Sequence, residues 1–478
     1  MPRVLRGVLI CGMGLLLNLG ANAQARQLRK TDSVFARIKQ YIITKNADAI
    51  YNLADARFKK SIPHADFNDF LDRELFPLGI VKKDSLISFV NNVTAAYKVQ
   101  FDVLTMLLTI SLSENDKLSY FKLEPYKESS VNKPSLAASN NQLKTRTDKV
   151  VDSIVRKYIQ RSNTVSLSIG IINKGDVRTY NYGEIKKGKG QLPNIGTIYE
   201  IASISKTFTA TLLAWYVNEG KLSLNDPITK YLPDSVAANP ALKDIKLVNL
   251  SNHTGGLPGL PSNFSAQKDY NDANPYKNYT RQMLFEYLKS CTLRSQPGTK
   301  YAYSNLAVGL LGVILERVTG KPYEQLVNEI ICQPLGMKST LQHLYPLIAP
   351  RLAAGYNEDA KQTTSWDFDA LAACGSLKST INDLLIYARA NMTKSDTKLS
   401  KAFQLAHQVT FNNGDSQVTL GWHIIKIDGI SYIFHNGGTE GSSSFLAYNI
   451  EKGLAVVLLS NAGASTDNTG VSLISKLQ

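Results

Sequence analysis

The chain of 478 residues is long enough for two or three domains with a large hydrophobic core. Its 44% hydrophobic and 19% charged residues are typical of a folded globular protein and exclude a disordered one. The formal net charge of +15 is spread along the chain, without a basic helix, an aromatic stacking motif or a zinc finger, so the sequence argues against nucleic acid as a partner. A basic surface of this kind suits anionic cell-wall polymers or lipid head groups, and equally a solvated exterior.

Residues 1–23 have the pattern of a secretory signal peptide. Arg3 and Arg6 precede a short apolar run, and the small-x-small pattern 21–23 supplies a cleavage site before Gln24. The run is shorter than the roughly 20 residues that a membrane-spanning helix needs, which disfavours an anchor. No later stretch is long and apolar enough to cross a bilayer. We therefore expect an exported protein, periplasmic or extracellular, without an integral membrane segment once the signal is removed.

Residues 24–127 are predicted to form a small α+β domain. Helices are expected over 32–43, over 48–60 and from Pro63, because capping or helix-starting residues precede apolar positions at helical spacing. From Val93 the apolar positions alternate, which predicts an antiparallel meander. This order of elements resembles the nuclear-transport-factor-like cone fold. The segment offers no convincing pair of nucleophile and base, so we expect an accessory or binding role for it.

Residues 128–144 are small and polar, which predicts a flexible linker to a second domain, 145–478. The second domain opens with a helix and a hairpin, becomes helical over 222–395, and returns to strands after Gln417. Strands at both ends around a helical middle predict one antiparallel sheet built from the two termini of the domain. The strands of this sheet are expected at 165–173, 177–182, 418–427, 431–435, 443–449 and 454–460. Helices are expected at 147–160 and from about Thr469.

A long apolar run without Gly or Pro, 207–217, predicts a buried helix that ends at Gly220 in a left-handed cap. Ser203 lies at the start of this helix, and Lys206 follows three residues later on the same face. A serine hydroxyl is a poor nucleophile unless a base lies within hydrogen-bond reach. Burial of the helix favours neutral Lys206, because desolvation disfavours the ammonium form. Ser-x-x-Lys alone is common on helices, so the catalytic interpretation needs further support.

Two further motifs supply that support. Tyr303 and Asn305 form Tyr-x-Asn about a hundred residues later, and His435 and Gly437 form His-x-Gly between two strand-like runs. In this order the three motifs resemble the serine penicillin-recognising enzymes, specifically the class C β-lactamase-like branch, which includes D,D-peptidases, D-aminopeptidases and esterases. The resemblance covers residues 145–478. It implies an α+β fold with an antiparallel sheet flanked by helices plus a helical subdomain.

The resemblance also implies acyl transfer through an ester on Ser203, with Lys206 and Tyr303 as the candidate bases. A free lysine titrates near ~10.4 and a free tyrosine near ~10, so neither is a good base at neutral pH unless its surroundings change it. The two groups titrate as an interacting pair, and the residues alone leave open which one takes the serine proton. The class C branch gives this role to the tyrosine, here Tyr303. Asn305 is expected to hydrogen-bond the substrate amide or Lys206.

The His-x-Gly motif is expected at a sheet edge beside the substrate. Small residues at Gly437 and Gly438 allow close backbone approach, and the resemblance makes the amides of Ser203 and Gly438 the oxyanion hole. Where the family's β-lactamases mostly carry Lys-Thr-Gly, this chain has His435, which is only partly charged near neutral pH. That departure disfavours efficient β-lactam hydrolysis. His253, in a loop at the start of the helical region, is given a structural role by the resemblance.

The sequence thus predicts an exported serine hydrolase that acts on D-alanyl peptides or related amides and esters. The alternatives are a true class C-like β-lactamase and a non-catalytic penicillin- or peptidoglycan-binding protein. The partner is a small-molecule or peptide substrate, with cell-wall peptidoglycan among the candidates. No metal and no organic cofactor is implied, since the cysteines after the signal lack zinc-site spacing and are expected to be buried thiols: Cys291, Cys332 and Cys374.

Overall fold

The computed structural model describes residues 21–90, 93–126, 137–414 and 416–478. Most of the predicted signal peptide, residues 1–20, and residues 128–136 of the predicted linker lie outside the described residues. The chain divides into two compact units, with the division between Ser130 and Val131. Within the described ranges, no helix combines the length and the apolar character that crossing a membrane requires.

In the first unit, helices precede an antiparallel sheet with the strand order β1-β2-β3-β4. The described helices are α1 (Ala21–Ile43), α2 (Ala47–Asn52), α3 (Ala56–Ser61) and α4 (His64–Phe70). The strands are β1 (Lys83–Val90), β2 (Thr94–Gln100), β3 (Thr105–Leu112) and β4 (Leu118–Pro125). This agrees with a small α+β domain, while the likeness to the nuclear-transport-factor-like cone stays a prediction.

Three details of the first unit differ from the sequence prediction. Helix α1 begins before Asp32, whose carboxylate accepts a hydrogen bond from the Tyr97 hydroxyl over 2.7 Å instead of capping the helix. The predicted helix over 48–60 is broken, because Asp55 caps α3 by accepting from the backbone N–H of Phe58. Strand β1 was missed because almost all of its residues are exposed, so its sequence carries no alternation of apolar and polar positions.

Residues 137–144 are attached to the second unit, in contrast to the predicted free linker. Ser139 forms an antiparallel bridge with Tyr182, and the Asn141 side chain donates to the Tyr182 hydroxyl over 2.7 Å. Thr145 then caps the next helix in a capping box with Asp148. These hydrogen bonds hold the polar stretch in place. Its partners lie far away in the sequence, so the composition of the stretch does not reveal them.

The second unit contains a helical region inserted between two sets of strands. Its helices are α5 (Arg146–Ile159), α6 (Ser205–Asn218), α7 (Asp234–Ala237), α8 (Leu247–Ser251), α9 (Arg281–Ser290), α10 (Asn305–Thr319), α11 (Tyr323–Val327), α12 (Gln333–Leu335), α13 (Ile381–Met392), α14 (Lys398–Ala406) and α15 (Asp467–Leu477). Its strands are β5 (Ser166–Asn173), β6 (Asp176–Gly183), β7 (Tyr199–Glu200), β8 (Lys378–Ser379), β9 (Phe411–Asn412), β10 (Gln417–Val418), β11 (His423–Ile427), β12 (Ile430–Gly438), β13 (Ser443–Asn449) and β14 (Leu454–Ser460).

The main sheet has the order β6-β5-β14-β13-β12-β11-β10-β9, and every described pairing is antiparallel. Strand β5 from the start of the unit pairs with β14 from its end, which confirms the predicted sheet built from both termini. All residues of β14 are buried because helices cover both faces of the sheet. Val456 and Leu458 pack with α5 and α15, whereas Val457 and Leu459 belong to the core that contains α6 and α13.

Two predicted features of the chain around α6 have clear outcomes. Gly220 has a φ of +68°, so the predicted left-handed cap after α6 is confirmed. The predicted strand over 418–427 is interrupted at Gly421, whose φ is +65°. A Cβ atom at Gly421 would lie 2.6 Å from the backbone oxygen of Lys206, so this break packs directly against α6.

Candidate active site

Ser203 lies in a short 3-10 turn, Ala202–Ile204, that leads directly into α6. Ala202 has a φ of +45°, a conformation that costs energy in a residue with a Cβ atom and that is often found at functional sites. The Ser444 hydroxyl of β13 donates to the backbone oxygen of Ile201 over 2.8 Å. The sheet therefore holds the strained turn that presents Ser203.

Lys206 is fully buried, with 0% of its surface exposed, and its Nζ has three oxygen partners. The Nζ lies 2.9 Å from Ser203 Oγ, 2.8 Å from Asn305 Oδ1 and 2.6 Å from the backbone oxygen of Cys374. Burial lowers the pKa of Lys206 from its ordinary value of 10.5 to about 8. In its neutral form, which predominates only above about pH 8, the amine donates two N–H groups and accepts at one lone pair. Since Asn305 Oδ1 and the Cys374 carbonyl are pure acceptors, the lone pair is left for the Ser203 hydroxyl.

Tyr303 lies beside this network, with its ring centroid 4.8 Å from Lys206 Nζ. The residue is 39% exposed, yet the groups around its phenol desolvate it and raise its pKa above the ordinary value, while a hydrogen bond with Ser203 acts in the opposite direction. A raised pKa keeps the phenol protonated near neutral pH. A base role for Tyr303 in the free protein would require the phenolate, and the raised pKa disfavours that form.

Asn305 is the first residue of α10, and the hydroxyl of Ser304 caps that helix by accepting from the N–H of Ala307. The Asn305 side chain accepts from Lys206 and donates to the Tyr276 hydroxyl over 2.9 Å. Of the two partners predicted for Asn305, substrate amide or Lys206, the structure therefore shows the lysine. Both ends of the amide are held, which keeps the acceptor aimed at Lys206 Nζ.

Three histidines surround the Tyr303 ring. The ring centroids of His253, His423 and His435 lie 4.5, 6.4 and 6.4 Å from that of Tyr303. Burial lowers the pKa of His423 to about 4 and the pKa values of His253 and His435 well below 6.5, and the nearby Lys206 adds to the effect. His253 Nδ1 accepts from the N–H of Ser304 over 3.2 Å, a contact that fits its predicted structural role. All three rings are therefore neutral at pH 7.

The structure corrects two expectations about His435, its charge and its place in the sheet. The residue is only 1% exposed, and burial holds its pKa well below 6.5, so it is neutral instead of partly charged. Strand β12 lies inside the sheet, between β13 and β11, not at its outer edge. However, β11 pairs with β12 only as far as Phe434, so residues 435–438 form a local edge that the sequence could not locate.

Gly437 lies on this local edge and approaches the Ser203 turn closely. A Cβ atom added to Gly437 would lie 2.4 Å from the backbone oxygen of Ile201 and 2.8 Å from the backbone N of Ser203. Gly438, the last residue of β12, has room for a side chain instead, since an added Cβ would meet Ser442 O in an ordinary contact at 3.8 Å. Backbone contact between β12 and the Ser203 turn thus requires glycine at the first of these two positions.

Two hydrogen-bond partners in the site leave no recognisable signal in the sequence. The Cys374 carbonyl binds Lys206, but a main-chain acceptor leaves no signal in residue type. Tyr276 orients Asn305 from a loop with no recognisable motif. The predicted buried, unpaired state of Cys291, Cys332 and Cys374 agrees with the structure.

Comparisons with known proteins agree with this fold. The Beta-lactamase family model matches residues 151–472, so the chain belongs to this family of serine hydrolases. A beta-lactamase of Pseudomonas fluorescens is 29% identical over 345 residues, covering 65% of this chain and 92% of the relative. The D-alanyl-D-alanine-carboxypeptidase/endopeptidase AmpH of Escherichia coli is 33% identical over 241 residues, 49% of this chain and 60% of the relative.

A solved structure gives the same result. The crystal structure of a beta-lactamase/D-alanine carboxypeptidase from Pseudomonas syringae is similar to this chain with a TM-score of 0.62 and 26% sequence identity. The match covers 70% of this chain and 98% of that structure. The predicted β-lactamase-like fold and the predicted class of enzyme are therefore confirmed.

Proposed function

We propose that this protein is an exported serine hydrolase that cleaves D-alanyl peptides or related amides and esters through an acyl-enzyme on Ser203. The observation that carries the proposal is the hydrogen-bond network of Lys206. Its buried amine lies 2.9 Å from Ser203 Oγ, and two further acceptors engage its N–H groups. A protein that only binds its ligand has no need for such an activated hydroxyl. Export is proposed from the signal-peptide pattern of residues 1–23.

In the proposed reaction, neutral Lys206 takes the proton of Ser203 as its oxygen attacks the substrate carbonyl. The backbone amides of Ser203 and Gly438 stabilise the oxyanion of the tetrahedral intermediate. Tyr303, whose raised pKa keeps it protonated, suits a proton donor to the departing group. Water then attacks the Ser203 ester with the same groups in reverse order, which releases the acid and restores the free serine.

Neutral His435 supports amide and ester substrates that lack a free carboxylate, including peptide amides, over β-lactams. A β-lactam antibiotic carries a carboxylate that the family's β-lactamases bind with the lysine of Lys-Thr-Gly, and a buried neutral imidazole supplies no matching charge. The second candidate function is a true β-lactamase, favoured by the similarity to the beta-lactamase of Pseudomonas fluorescens. The name of the Escherichia coli relative, a carboxypeptidase/endopeptidase, favours the peptide substrate.

The test is intact-protein mass spectrometry of the mature protein mixed with a fluorescent penicillin, followed by assays of peptide and ester substrates. We expect a stable adduct and release of D-alanine from an acyl-D-alanyl-D-alanine peptide. Since no charge at His435 recognises a carboxylate, the C-terminal amide of that peptide should be cleaved within about tenfold of the free acid. Rapid loss of penicillin without an adduct would establish the β-lactamase. Neither adduct nor turnover of peptides, amides and short-chain esters would exclude both functions.

The pH dependence of acylation distinguishes the two candidate bases. The pKa of Lys206 is lowered to about 8, so the neutral base becomes more abundant as the pH rises towards that value. The second-order acylation rate constant should rise about tenfold per pH unit below pH ~8 and level off above it. A phenolate base at Tyr303, whose pKa is raised, would instead place the inflection above pH ~10. Stopped-flow acylation between about pH 6 and about pH 10 measures this.

A Lys206→Arg variant is the matched control for the pH profile. Arginine keeps a positive charge but does not lose its proton at these pH values, so the variant has no neutral base at this position. We expect the inflection near pH 8 to disappear together with most of the acylation. An unchanged profile in this variant would show that the inflection belongs to another group.

A further inference from the structure

Glu200 carries a buried carboxylate that the proposed reaction does not use. The residue is 6% exposed and ends strand β7. Its Oε1 accepts from the Ser365 hydroxyl over 3.0 Å and from the backbone N–H of Trp366 over 2.6 Å. Its Oε2 accepts from the hydroxyls of Thr439 at 3.0 Å and Ser442 at 3.5 Å. The carboxylate therefore joins two segments that are far apart in the sequence to the strand that leads to the active-site turn.

The Oε2 partners lie in the turn between β12 and β13, directly after Gly438. The N–H of Thr439 donates to the backbone oxygen of Ser442 over 3.0 Å, so the turn also has a hydrogen bond of its own. Because Ser203 follows Glu200 closely in the chain, this contact acts together with the Ser444–Ile201 hydrogen bond on the distance between the Ser203 turn and the end of β12. We propose that Glu200 is a positioning residue that holds these two backbone segments at the spacing an oxyanion hole needs. This inference rests on the proposed function.

The Oε1 partners extend the same link to the opposite side of the site. The Trp366 carbonyl accepts from Lys378 Nζ over 3.1 Å, and Lys378 is the strand partner of Glu200 in the β7–β8 pair. Trp366 is thus held at both its N–H and its carbonyl. Its ring lies 5.5 Å from the ring of Tyr276, whose hydroxyl accepts from Asn305. Glu200 therefore connects the β12 side of the site with the side that orients Asn305.

The chemistry of these contacts decides which substitutions keep the link. A carboxylate forms stronger hydrogen bonds than a neutral acceptor, which compensates for burying its charge. Glutamine has the same shape: its oxygen can accept from Ser365 and Trp366, and its NH₂ group can donate to the hydroxyl oxygens of Thr439 and Ser442. Alanine makes none of these contacts and leaves buried donors without partners. Glu200→Gln should therefore preserve the spacing that Glu200→Ala loses.

The experiment measures the binding constant and the acylation rate constant separately in wild type, Glu200→Ala and Glu200→Gln. The probe is a fluorescent penicillin, replaced by p-nitrophenyl butyrate if penicillin does not acylate the protein. We expect Glu200→Ala to lower the acylation rate constant at least about tenfold with binding little changed, because displaced catalytic donors act on the transition state. Glu200→Gln should stay within about threefold of wild type. The control is Glu184→Ala, since Glu184 accepts from the N–H groups of Lys189 and Gly190 outside the proposed site and its loss should leave acylation unchanged.

An acylation rate constant of Glu200→Ala equal to that of wild type overturns the inference, and so does a Glu200→Gln variant as slow as Glu200→Ala. If Glu200→Ala does not fold, Thr439→Val decides, because it removes the Thr439 contact and keeps the other partners of Glu200, with the loss of one further hydrogen bond, from the Gly441 N–H to Thr439 Oγ1 over 3.3 Å. A slower acylation in Thr439→Val supports the inference, and an unchanged rate overturns it. Absence of both an acyl-enzyme and substrate turnover in the wild-type protein overturns the proposed function and this inference with it.

Discussion

A Ser203→Ala variant is expected to lose the covalent penicillin adduct and to lose substrate turnover by at least about 10⁴-fold, as removal of a serine nucleophile does elsewhere. The reason is that Ser203 is proposed to supply the atom that is acylated, and Lys206 Nζ, 2.9 Å away, has no other hydroxyl among its described hydrogen-bond partners. The variant should remain folded, since Ser203 is only half-buried and its change to alanine removes only its hydrogen bonds with Lys206 and Tyr303. Mass spectrometry of the intact protein and thermal unfolding measure the two effects.

Ser205→Ala provides a matched control from the same stretch of chain. Ser205 is buried, and its Oγ accepts from the N–H of Leu377 over 3.0 Å, so its hydroxyl supports packing. This variant should unfold at a lower temperature by an amount that reflects one buried hydrogen bond, about 1–3 kcal/mol, yet still form the adduct. An adduct that persists in Ser203→Ala would place the nucleophile elsewhere and contradict the proposed reaction.

A Gly437→Ala variant is expected to lose acylation by about 10²-fold or more while keeping the fold. The added methyl group would lie 2.4 Å from Ile201 O and 2.8 Å from the backbone N of Ser203, atoms that no side-chain rotation can move away. The strand and the Ser203 turn must therefore separate, which displaces the amides proposed to stabilise the oxyanion. The cost in unfolding free energy should be that of moderate overpacking, about 1–3 kcal/mol.

The comparison for this prediction is Gly438→Ala, one residue further along β12. Its added methyl group would meet Ser442 O at 3.8 Å, an ordinary contact, and the variant keeps its backbone N–H. We expect a much smaller loss of acylation than in Gly437→Ala. Equal effects of the two substitutions would show that the close approach at Gly437 is not what the site depends on.

Much of the site could be predicted from the sequence because its two central residues are close together in the chain. Ser203 and Lys206 lie three residues apart, and helical geometry alone brings such residues to one face. The buried strands of the second unit were also predicted, since strands covered on both faces, such as β14, read as continuous apolar runs. By contrast, β1 in the first unit is exposed along almost its whole length and gave no pattern to detect.

The sequence by itself thus determined the family, the order of the elements and the serine–lysine pair, because these depend on local spacing and on apolar periodicity. Only the tertiary structure decided the protonation states and the partners. Asn305 and Cys374, 99 and 168 residues from Lys206 in the chain, complete its hydrogen bonds, and their carbonyl oxygens leave the lone pair of the amine for Ser203. Likewise, His435 is neutral because packing removes it from water, and a residue's burial depends on neighbours that its own position in the sequence does not reveal.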